Sequence, residues 1–351
     1  MMTVKIIGIV VLSVFVAGAV FLAAGVWNPS WNPFANTAGG DIEQALNNLL
    51  KANSLKYEGI FEIKTEQTVA EEAASIGINL GYSGALDVSD KENIKGSCLI
   101  GLQLQSPEYD FETDLEIRGI GQDLYLKIGS LPSLAGILPP LFDETVIESV
   151  VALLENQWFK ISEETITNIT GAEETEALNK QETEQFLNDL QGIISGHNFF
   201  VIEQELGKET LRGIETNRYK ASLSKKALKQ AIPEYLELAE NYLSAEQKAA
   251  YQQELNKALT ELPQAIDDAW LEIGGIEFEV WIAQTDNTLR KIKFERKIEQ
   301  VESINGSANI KLELEFLDLN KSVSIEIPAD AKDIEEVLAP LLMNVLPMSE
   351  E

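Results

Sequence analysis

A single histidine and a single cysteine are the side chains best suited to acid–base or nucleophilic chemistry in this chain. His197 stands at a predicted turn between a helix and a strand, and no GxSxG or HExxH motif accompanies it. A catalytic triad or a histidine-rich metal site would therefore depend on one residue. Cys98 lies in the apolar segment Ser97–Ile100, which is typical of a small buried side chain and not of a reactive thiolate. We predict no catalytic residue.

Carboxylates are the remaining side chains that could bind a metal ion or act as an acid–base pair. Asp87, Asp90, Glu92 and Asn93 crowd one predicted turn, but they lack the spacing and the central glycine of an EF-hand loop, so an Asx-rich hairpin accounts for them. No GxGxxG or GxxxxGK[ST] loop is present to hold a phosphate. A pair of carboxylates at glycosidase spacing stays an open alternative. We expect no metal site, no cofactor and no enzymatic activity.

The charge of the chain limits the kinds of molecule that it can bind. The 351 residues include 57 acidic and 27 basic side chains, for a formal charge of −30, and the acidic residues are spread along the whole chain. A polyanion without a basic, aromatic-interleaved stripe repels nucleic acid. It also repels an anionic lipid surface, so membrane attachment must come from a separate segment. With one cysteine, no intrachain disulfide can form.

Residues 1–27 are predicted to be a membrane anchor or signal segment. Ile6 to Trp27 carry no charge and follow Lys5, and at about 1.5 Å per residue they can cross a hydrocarbon core of about 30 Å. The stretch is longer than the apolar region of most cleaved signal peptides, although Ala23–Gly25 could serve as a cleavage site. We therefore predict a single-pass membrane protein with its C-terminal domain outside the cytoplasm. Secretion after signal cleavage is the alternative.

Residues 28–40 are predicted to be a linker, and residues 41–351 an α+β domain. Asp41 is suited to cap a first amphipathic helix. Between Tyr57 and Gly129, apolar and charged residues alternate and turn signals recur, as in Phe61-Glu62-Ile63-Lys64, which predicts about five antiparallel strands with one wet face.

The rest of the chain mixes helices with further strands. Helices are predicted from Asp143 to Leu154, from Gln181 to Ser195, and from Ser224 to Leu262 with Pro233 beginning a new first turn. Strands are predicted at Gln157–Ile161, Asn198–Gln204, Gly213–Leu223, Gly275–Ala283, Thr288–Val301 and Ala308–Leu319, followed by a closing segment at Ser322–Ile327 and an apolar helix from Asp333. The prediction is an antiparallel sheet of about eleven strands with covering helices.

Several short segments resemble one known superfamily. They are Asp123–Lys127, Asn156–Ile161, Gly213–Tyr219, and Val280–Ile282 followed by Asp286 and Leu289–Lys291. With the element order, they make the chain similar, from Asp41 to Ile327, to the half-barrel of the bacterial outer-membrane lipoprotein carrier LolA and the mycobacterial LppX-type lipoproteins. The resemblance implies a curved sheet and helices around an apolar cavity for lipid or acyl chains. The chain lacks the lipobox cysteine of the lipoprotein members, which favours a tethered receiver over a shuttling carrier.

The expected function is therefore binding of a hydrophobic ligand, a lipid or the acyl chain of a lipoprotein, by a monomer that is tethered to the membrane. The candidate cavity residues come from the apolar faces of the predicted strands: Phe61, Ile63, Leu115, Ile117, Phe278, Val280, Ile292, Phe294 and Leu312. A non-enzymatic structural or interaction protein of the cell envelope, with the same fold and a filled core, is the alternative. Residues that line a cavity and residues that fill a core have the same composition, so the sequence leaves both readings open.

Overall fold

A computed structural model of the chain describes residues 41–69, 72–90, 93–107, 110–121, 123–131, 151–162, 185–186, 189–190, 192–193, 196–242, 245–301 and 306–337. The predicted membrane segment and linker, residues 1–40, lie outside these ranges, as do most of the helices predicted at 143–154 and 181–195. No helix within these ranges is long and apolar enough to cross a membrane.

The described elements are three longer helices and twelve strands. In chain order they are α1 (Asp41–Leu50), β1 (Ser54–Val69), β2 (Glu72–Asp87), β3 (Lys95–Gln105), β4 (Asp110–Ile120), β5 (Asp123–Ile128), β6 (Trp158–Ile161), β7 (Phe200–Leu211), β8 (Ile214–Leu223), α2 (Lys225–Asn241), α3 (Ala245–Ile273), β9 (Glu277–Ala283), β10 (Leu289–Val301), β11 (Gly306–Leu317) and β12 (Lys332–Asp333). The predicted α+β class is confirmed, and the half-barrel shape stays a prediction.

The elements form two compact units. The sheet unit holds β1–β6, β11 and β12, within residues 52–162 and 299–337 of the described chain. The helical unit holds α1–α3 and β7–β10, within residues 41–51 and 185–298, apart from the last residues of β10. Each unit therefore combines segments that are distant in the sequence.

In the sheet unit the strands follow the order β12-β6-β5-β4-β3-β2-β1-β11. All neighbours are antiparallel except β12, which runs parallel to β6. The predicted meander of five strands between Tyr57 and Gly129 is confirmed. The short strand predicted at Gln157–Ile161 is also confirmed, as β6. Apolar and polar residues alternate along these strands because successive side chains point to opposite faces of a sheet.

The closing segment Ser322–Ile327 forms no strand in the structure. Just before it, the Ser54 hydroxyl donates to the Lys321 carbonyl at 2.7 Å, and within it Arg118 donates to the Glu326 carbonyl at 2.9 Å. Side chains of the sheet thus satisfy backbone groups that a strand would satisfy by a ladder. A short strand that the sequence did not predict, β12, follows this segment and pairs with β6.

In the helical unit the strands follow the order β10-β9-β8-β7 and all pair antiparallel. Helix α1 contacts β9 and buries Ile42, Ala45 and Leu49. Its Asn48 side chain donates to the carbonyls of Asp286 and Asn287, at 3.2 and 2.9 Å, and so binds α1 to the β9–β10 turn. The helix predicted from Asp41 is confirmed.

The prediction that Pro233 begins a new helix is wrong, because α2 continues through it from Lys225 to Asn241. A proline inside a helix removes one hydrogen bond. The helix holds because Ser224 caps it, accepting from the Ala227 amide at 3.2 Å, and because one face is buried at Leu228, Ala231 and Leu238. Tertiary burial outweighs the local cost of the proline.

Candidate functional site

One face of the sheet unit, here called the apolar face, carries no charged side chain among its described residues. It consists of the odd-numbered residues of β1 (55–65), β4 (111–119) and β6 (159 and 161) and the even-numbered residues of β2 (76–86), β3 (96–104), β5 (124–128) and β11 (308–316). The strand register decides this membership. Phe61, for example, lies opposite Leu80 on one side and Leu312 on the other.

The opposite face is polar and salt-bridged over much of its area. Lys311 and Glu313 of β11 approach to 3.3 Å, and Lys64 and Glu62 of β1 to 3.4 Å. The sheet unit is therefore amphipathic, with one face suited to water and the other to an apolar environment.

The apolar face is covered unevenly. At its margins Leu55, Phe159 and Phe316 are 2, 1 and 3 % exposed. Along β2, β3 and β4, by contrast, the described residues of this face are half-buried, and Ile76 is exposed. Large apolar side chains in the middle of a sheet normally lose nearly all contact with water. The central strands therefore present apolar surface that the described residues do not fully cover.

Two tyrosines lie across the strands of the apolar face. Tyr82 of β2 stands opposite Gly59 of β1, and its hydroxyl reaches past that glycine to donate to the Glu313 carbonyl of β11 at 3.0 Å. Its ring occupies the space where a side chain at position 59 would be, because a Cβ there would overlap both the ring and the Glu313 carbonyl.

Tyr57 makes the mirror arrangement. It stands opposite Gly84, and its hydroxyl donates to the Ser97 carbonyl of β3 at 3.0 Å. A Cβ at Gly84 would overlap the Tyr57 hydroxyl and the Ser97 carbonyl. Burial is the main reason that the pKa values of Tyr57 and Tyr82 are raised above the ordinary phenol value. Both rings are therefore neutral parts of the apolar face at physiological pH.

Cys98 also lies on the apolar face, beside Tyr57, and is half-buried where the sequence predicted a buried thiol. Burial raises the pKa of the Cys98 thiol, although a hydrogen bond with Tyr57 opposes the shift. The thiol is therefore protonated at neutral pH, which disfavours a role as nucleophile.

The nine predicted cavity residues divide between the two units. Five lie on the apolar face: Phe61, Ile63, Leu115, Ile117 and Leu312. The other four share one face of β9 and β10 in the helical unit, where Phe278 lies opposite Phe294 and Val280 opposite Ile292. Val280 is 1 % exposed and its neighbours on β9 and β10, Ile282 and Leu289, are 2 and 0 % exposed, so this part of the helical unit is packed. Convergence of all nine in one cavity stays a prediction.

Sequence reasoning missed the contribution of β2 and β3 to the apolar face. Leu80, Tyr82, Ile100 and Leu102 lie there, between β1 and β4. In β2 and β3 the residues between these apolar side chains are mostly glycine, asparagine, serine and glutamine, whereas in β1 they are mostly charged. The weaker contrast between the two faces hid the pattern.

Within the described ranges, the residues singled out for catalytic chemistry do not form a site with further groups. His197 Nε2 lies 3.1 Å from Glu234 Oε2, and the imidazole contacts the Phe199 ring edge-on. The Asp87 carboxylate accepts from the Ser89 amide at 3.0 Å and from its hydroxyl, and these bonds lower the pKa of Asp87. Among the residues that the structure describes, no three histidine, cysteine or acidic side chains are placed to hold a metal ion.

A surface groove in the helical unit is charged and unsuited to an apolar ligand. It is lined by Phe278 and by charged residues of β8, β9 and β10. Two ion pairs occupy it, Lys220 with Glu277 at 2.8 Å and Lys293 with Glu295 at 3.1 Å. These pairs neutralise one another, so the groove offers no unbalanced charge from these four side chains.

No protein-family model matches the sequence, and no curated protein matches it. Among solved structures the chain is similar to the lipoprotein LppX of Mycobacterium tuberculosis, with 12% identity over 82% of this chain and 97% of that one and a TM-score of 0.29. It is also similar to LprF of Mycobacterium bovis, with 10% identity, coverage of 79% and 90% and a TM-score of 0.28. A LolA superfamily protein of Nitrosomonas europaea shows 11% identity, coverage of 84% and 96% and a TM-score of 0.17.

LppX and a LolA superfamily protein are thus among the structures that this chain resembles, as the sequence predicted. With every one of these TM-scores below 0.3, the matches assign no ligand, partner or activity to this chain.

Proposed function

We propose that this chain is a binding protein without catalytic activity, and that the apolar face holds the hydrocarbon part of a lipid or the acyl chain of a lipoprotein. The observation that carries the proposal is the incomplete burial of the apolar face along β2, β3 and β4. The helical unit of the same chain buries Val280, Ile282 and Leu289 almost completely. The contrast favours a surface that is kept for a ligand.

The chemistry of the face supports an apolar ligand. Its described residues carry no charge, so a charged group bound at its centre would lose its hydration without gaining an ionic partner. A hydrocarbon chain loses nothing of this kind, and it gains about 25 cal/mol for each Å² of apolar surface removed from water. The ligand class that fits is therefore a chain of methylene groups.

We further propose that residues 6–27 anchor the protein in a membrane with both units outside the cytoplasm. The support is the uncharged length of that segment and the charge of −30 in the whole chain, which would keep the folded part away from anionic lipid without an anchor. Ligand exchange would then take place near a membrane. Secretion after cleavage, with the same binding surface, is the alternative.

Two neighbouring substitutions in β3 test the binding proposal. Ile100 is half-buried on the apolar face, and Leu99, on the opposite face, is 43 % exposed. Each residue is changed to glutamate in a separate variant of the full chain, and the variants are purified in amphipol. The lipid that co-purifies is extracted, identified and quantified by mass spectrometry. We expect Leu99→Glu to retain ligand and Ile100→Glu to lose it while remaining folded. Lipid bound at the predicted anchor cancels, because both variants carry the same segment.

The alternative, a filled core in an interaction protein, predicts a different pair of results. In a filled core the Ile100→Glu carboxylate has no solvated position, so that variant unfolds. Two results together would remove the support for ligand binding. The first is that Ile100→Glu unfolds. The second is that the wild type and Leu99→Glu carry no more lipid than a control protein in which residues 1–40 are fused to an unrelated domain.

A further inference from the structure

Thr113 lies on the apolar face in β4, and its hydroxyl oxygen is buried without a hydrogen-bond partner among the residues that the structure describes. The other described hydroxyl groups of this face are paired. Thr65 donates to the Ile76 carbonyl at 3.3 Å, and Tyr57 and Tyr82 each donate to a backbone carbonyl at 3.0 Å. Buried polar groups in native proteins nearly always have a partner. The Thr113 hydroxyl therefore requires its own explanation.

The described neighbours of Thr113 on β3 and β4 give no structural reason for a hydroxyl group. Leu102 lies directly opposite it on β3, and Phe111 and Leu115 precede and follow it on the same face of β4. None of these side chains contains a polar atom. Valine has the same shape as threonine and a similar preference for strands, and it would leave no hydroxyl unpaired. The unpaired group is thus a cost that folding alone does not explain.

The charge of the surface limits what could pair with this hydroxyl. The described residues of the apolar face include no lysine, arginine or histidine. A carboxylate or phosphate at Thr113 would be desolvated without a counter-charge, which is far more costly than desolvating a neutral group. A carbonyl oxygen of an ester or amide is a neutral acceptor and avoids that cost. It can accept one hydrogen bond from a hydroxyl while its chain stays in contact with leucine and isoleucine side chains.

We propose that the Thr113 hydroxyl donates a hydrogen bond to the ester or amide carbonyl of an acylated ligand, and that this bond selects acyl chains in ester or amide linkage over plain hydrocarbon chains and ionised fatty acids. The inference rests on the proposed function, since it requires the apolar face to bind the chain. It names the linkage that the ligand carries and the residue that recognises it. Diacyl lipids and acylated lipoproteins share this linkage.

The test compares a pyrene-labelled diacylglycerol with its dialkyl ether analogue, which has the same chains but no carbonyl. Binding of each probe to the full chain in amphipol is measured by fluorescence for the wild type and for Thr113→Val. We expect the wild type to bind the ester about fivefold more tightly than the ether, the size of one net hydrogen bond. Thr113→Val should bind both probes equally and should unfold at the same or a higher temperature, because its shape is unchanged.

Two further variants control for position and for chemistry. Thr113→Ser keeps the hydroxyl and should keep the preference for the ester. Thr65→Val removes a hydroxyl of the same face that already donates to the Ile76 carbonyl, and it should also leave the preference unchanged. The binding measurement is repeated with an acylated lipopeptide in place of the diacylglycerol. Tighter binding of the lipopeptide would identify a lipoprotein as the source of the carbonyl, and tighter binding of the diacylglycerol would identify a lipid.

Equal binding of ester and ether by the wild type would overturn the proposal for Thr113, and so would a preference that survives in Thr113→Val. Either result leaves the apolar face as a binding surface, since both probes still bind. A wild type that binds neither probe refutes the proposed function itself, and the role of Thr113 with it. The two failures are therefore distinguishable in one experiment.

Discussion

Replacement of Gly59 by alanine is expected to destabilise the sheet unit, although alanine normally stabilises a strand relative to glycine. The ring of Tyr82 and the Glu313 carbonyl already occupy the position of a Cβ at residue 59. Neither is free to move at low cost, because the Tyr82 hydroxyl donates to that same carbonyl. The new methyl group must displace the ring, break this hydrogen bond, or separate β1 from β11.

The expected magnitude follows from two opposing terms. Gly→Ala at a compatible position stabilises a protein by about 0.4–1 kcal/mol through the entropy of the unfolded chain. Overpacking a close contact costs about 1–3 kcal/mol. Gly81, in the neighbouring strand β2 and on the opposite face, is the matched control, since a Cβ there would meet none of the described atoms within 4 Å. Gly81→Ala should be neutral or stabilising, and Gly59→Ala should be less stable than it by about 1–3 kcal/mol.

The assay is chemical denaturation of both variants and the wild type, followed by far-UV circular dichroism. A double-mutant cycle with Tyr82→Ala measures the part of the cost that belongs to the ring, because removal of the ring should recover part of the stability lost in Gly59→Ala. If Gly59→Ala and Gly81→Ala were equally stable, the ring of Tyr82 could not lie across Gly59, and the account of the apolar face would be wrong there.

Three further predictions concern other parts of the chain. Burial raises the pKa of Tyr57 and Tyr82 above the unfolded value of 10.0, so the stability that their neutral rings contribute is complete below about pH 10 and is lost as the pH rises further. Absorbance at 295 nm should show that both tyrosines ionise only when the protein unfolds. Ionisation of either tyrosine in the folded protein would contradict this prediction. Val280→Trp should lower the free energy of unfolding by about 1–3 kcal/mol or more, because Val280 is 1 % exposed, whereas unchanged stability together with weaker binding of a fluorescent fatty acid would indicate a void beside it. The mature protein should keep its N-terminus and sediment with membranes, while a chain that begins at residue 41 should be a soluble monomer; a mature form beginning near residue 26 would support secretion instead.

Local sequence patterns were sufficient for most of the described elements. Strands such as β1 and β11 alternate charged and apolar residues because one of their faces is solvated while the apolar side chains of the other face are buried or half-buried. Helix α1 was predictable in the same way from the helical spacing of its apolar residues. At Pro233 the local pattern was misleading, since the Ser224 cap and the burial of one helix face compensated for a missing helical hydrogen bond.

By itself the sequence determined the amphipathic strands, the acidic surface and the uncharged N-terminal stretch, because each depends on residue types and their local spacing. Only the tertiary structure decided which strands are neighbours. That choice places Leu312 of β11 beside Phe61 of β1, although more than half of the chain separates them in the sequence, and inserts β2 and β3 between Phe61 and Leu115. It also decided that Val280 is packed while the face around Leu102 is only half-buried. Burial depends on which distant segments approach a side chain, and the local pattern of residues contains no measure of that approach.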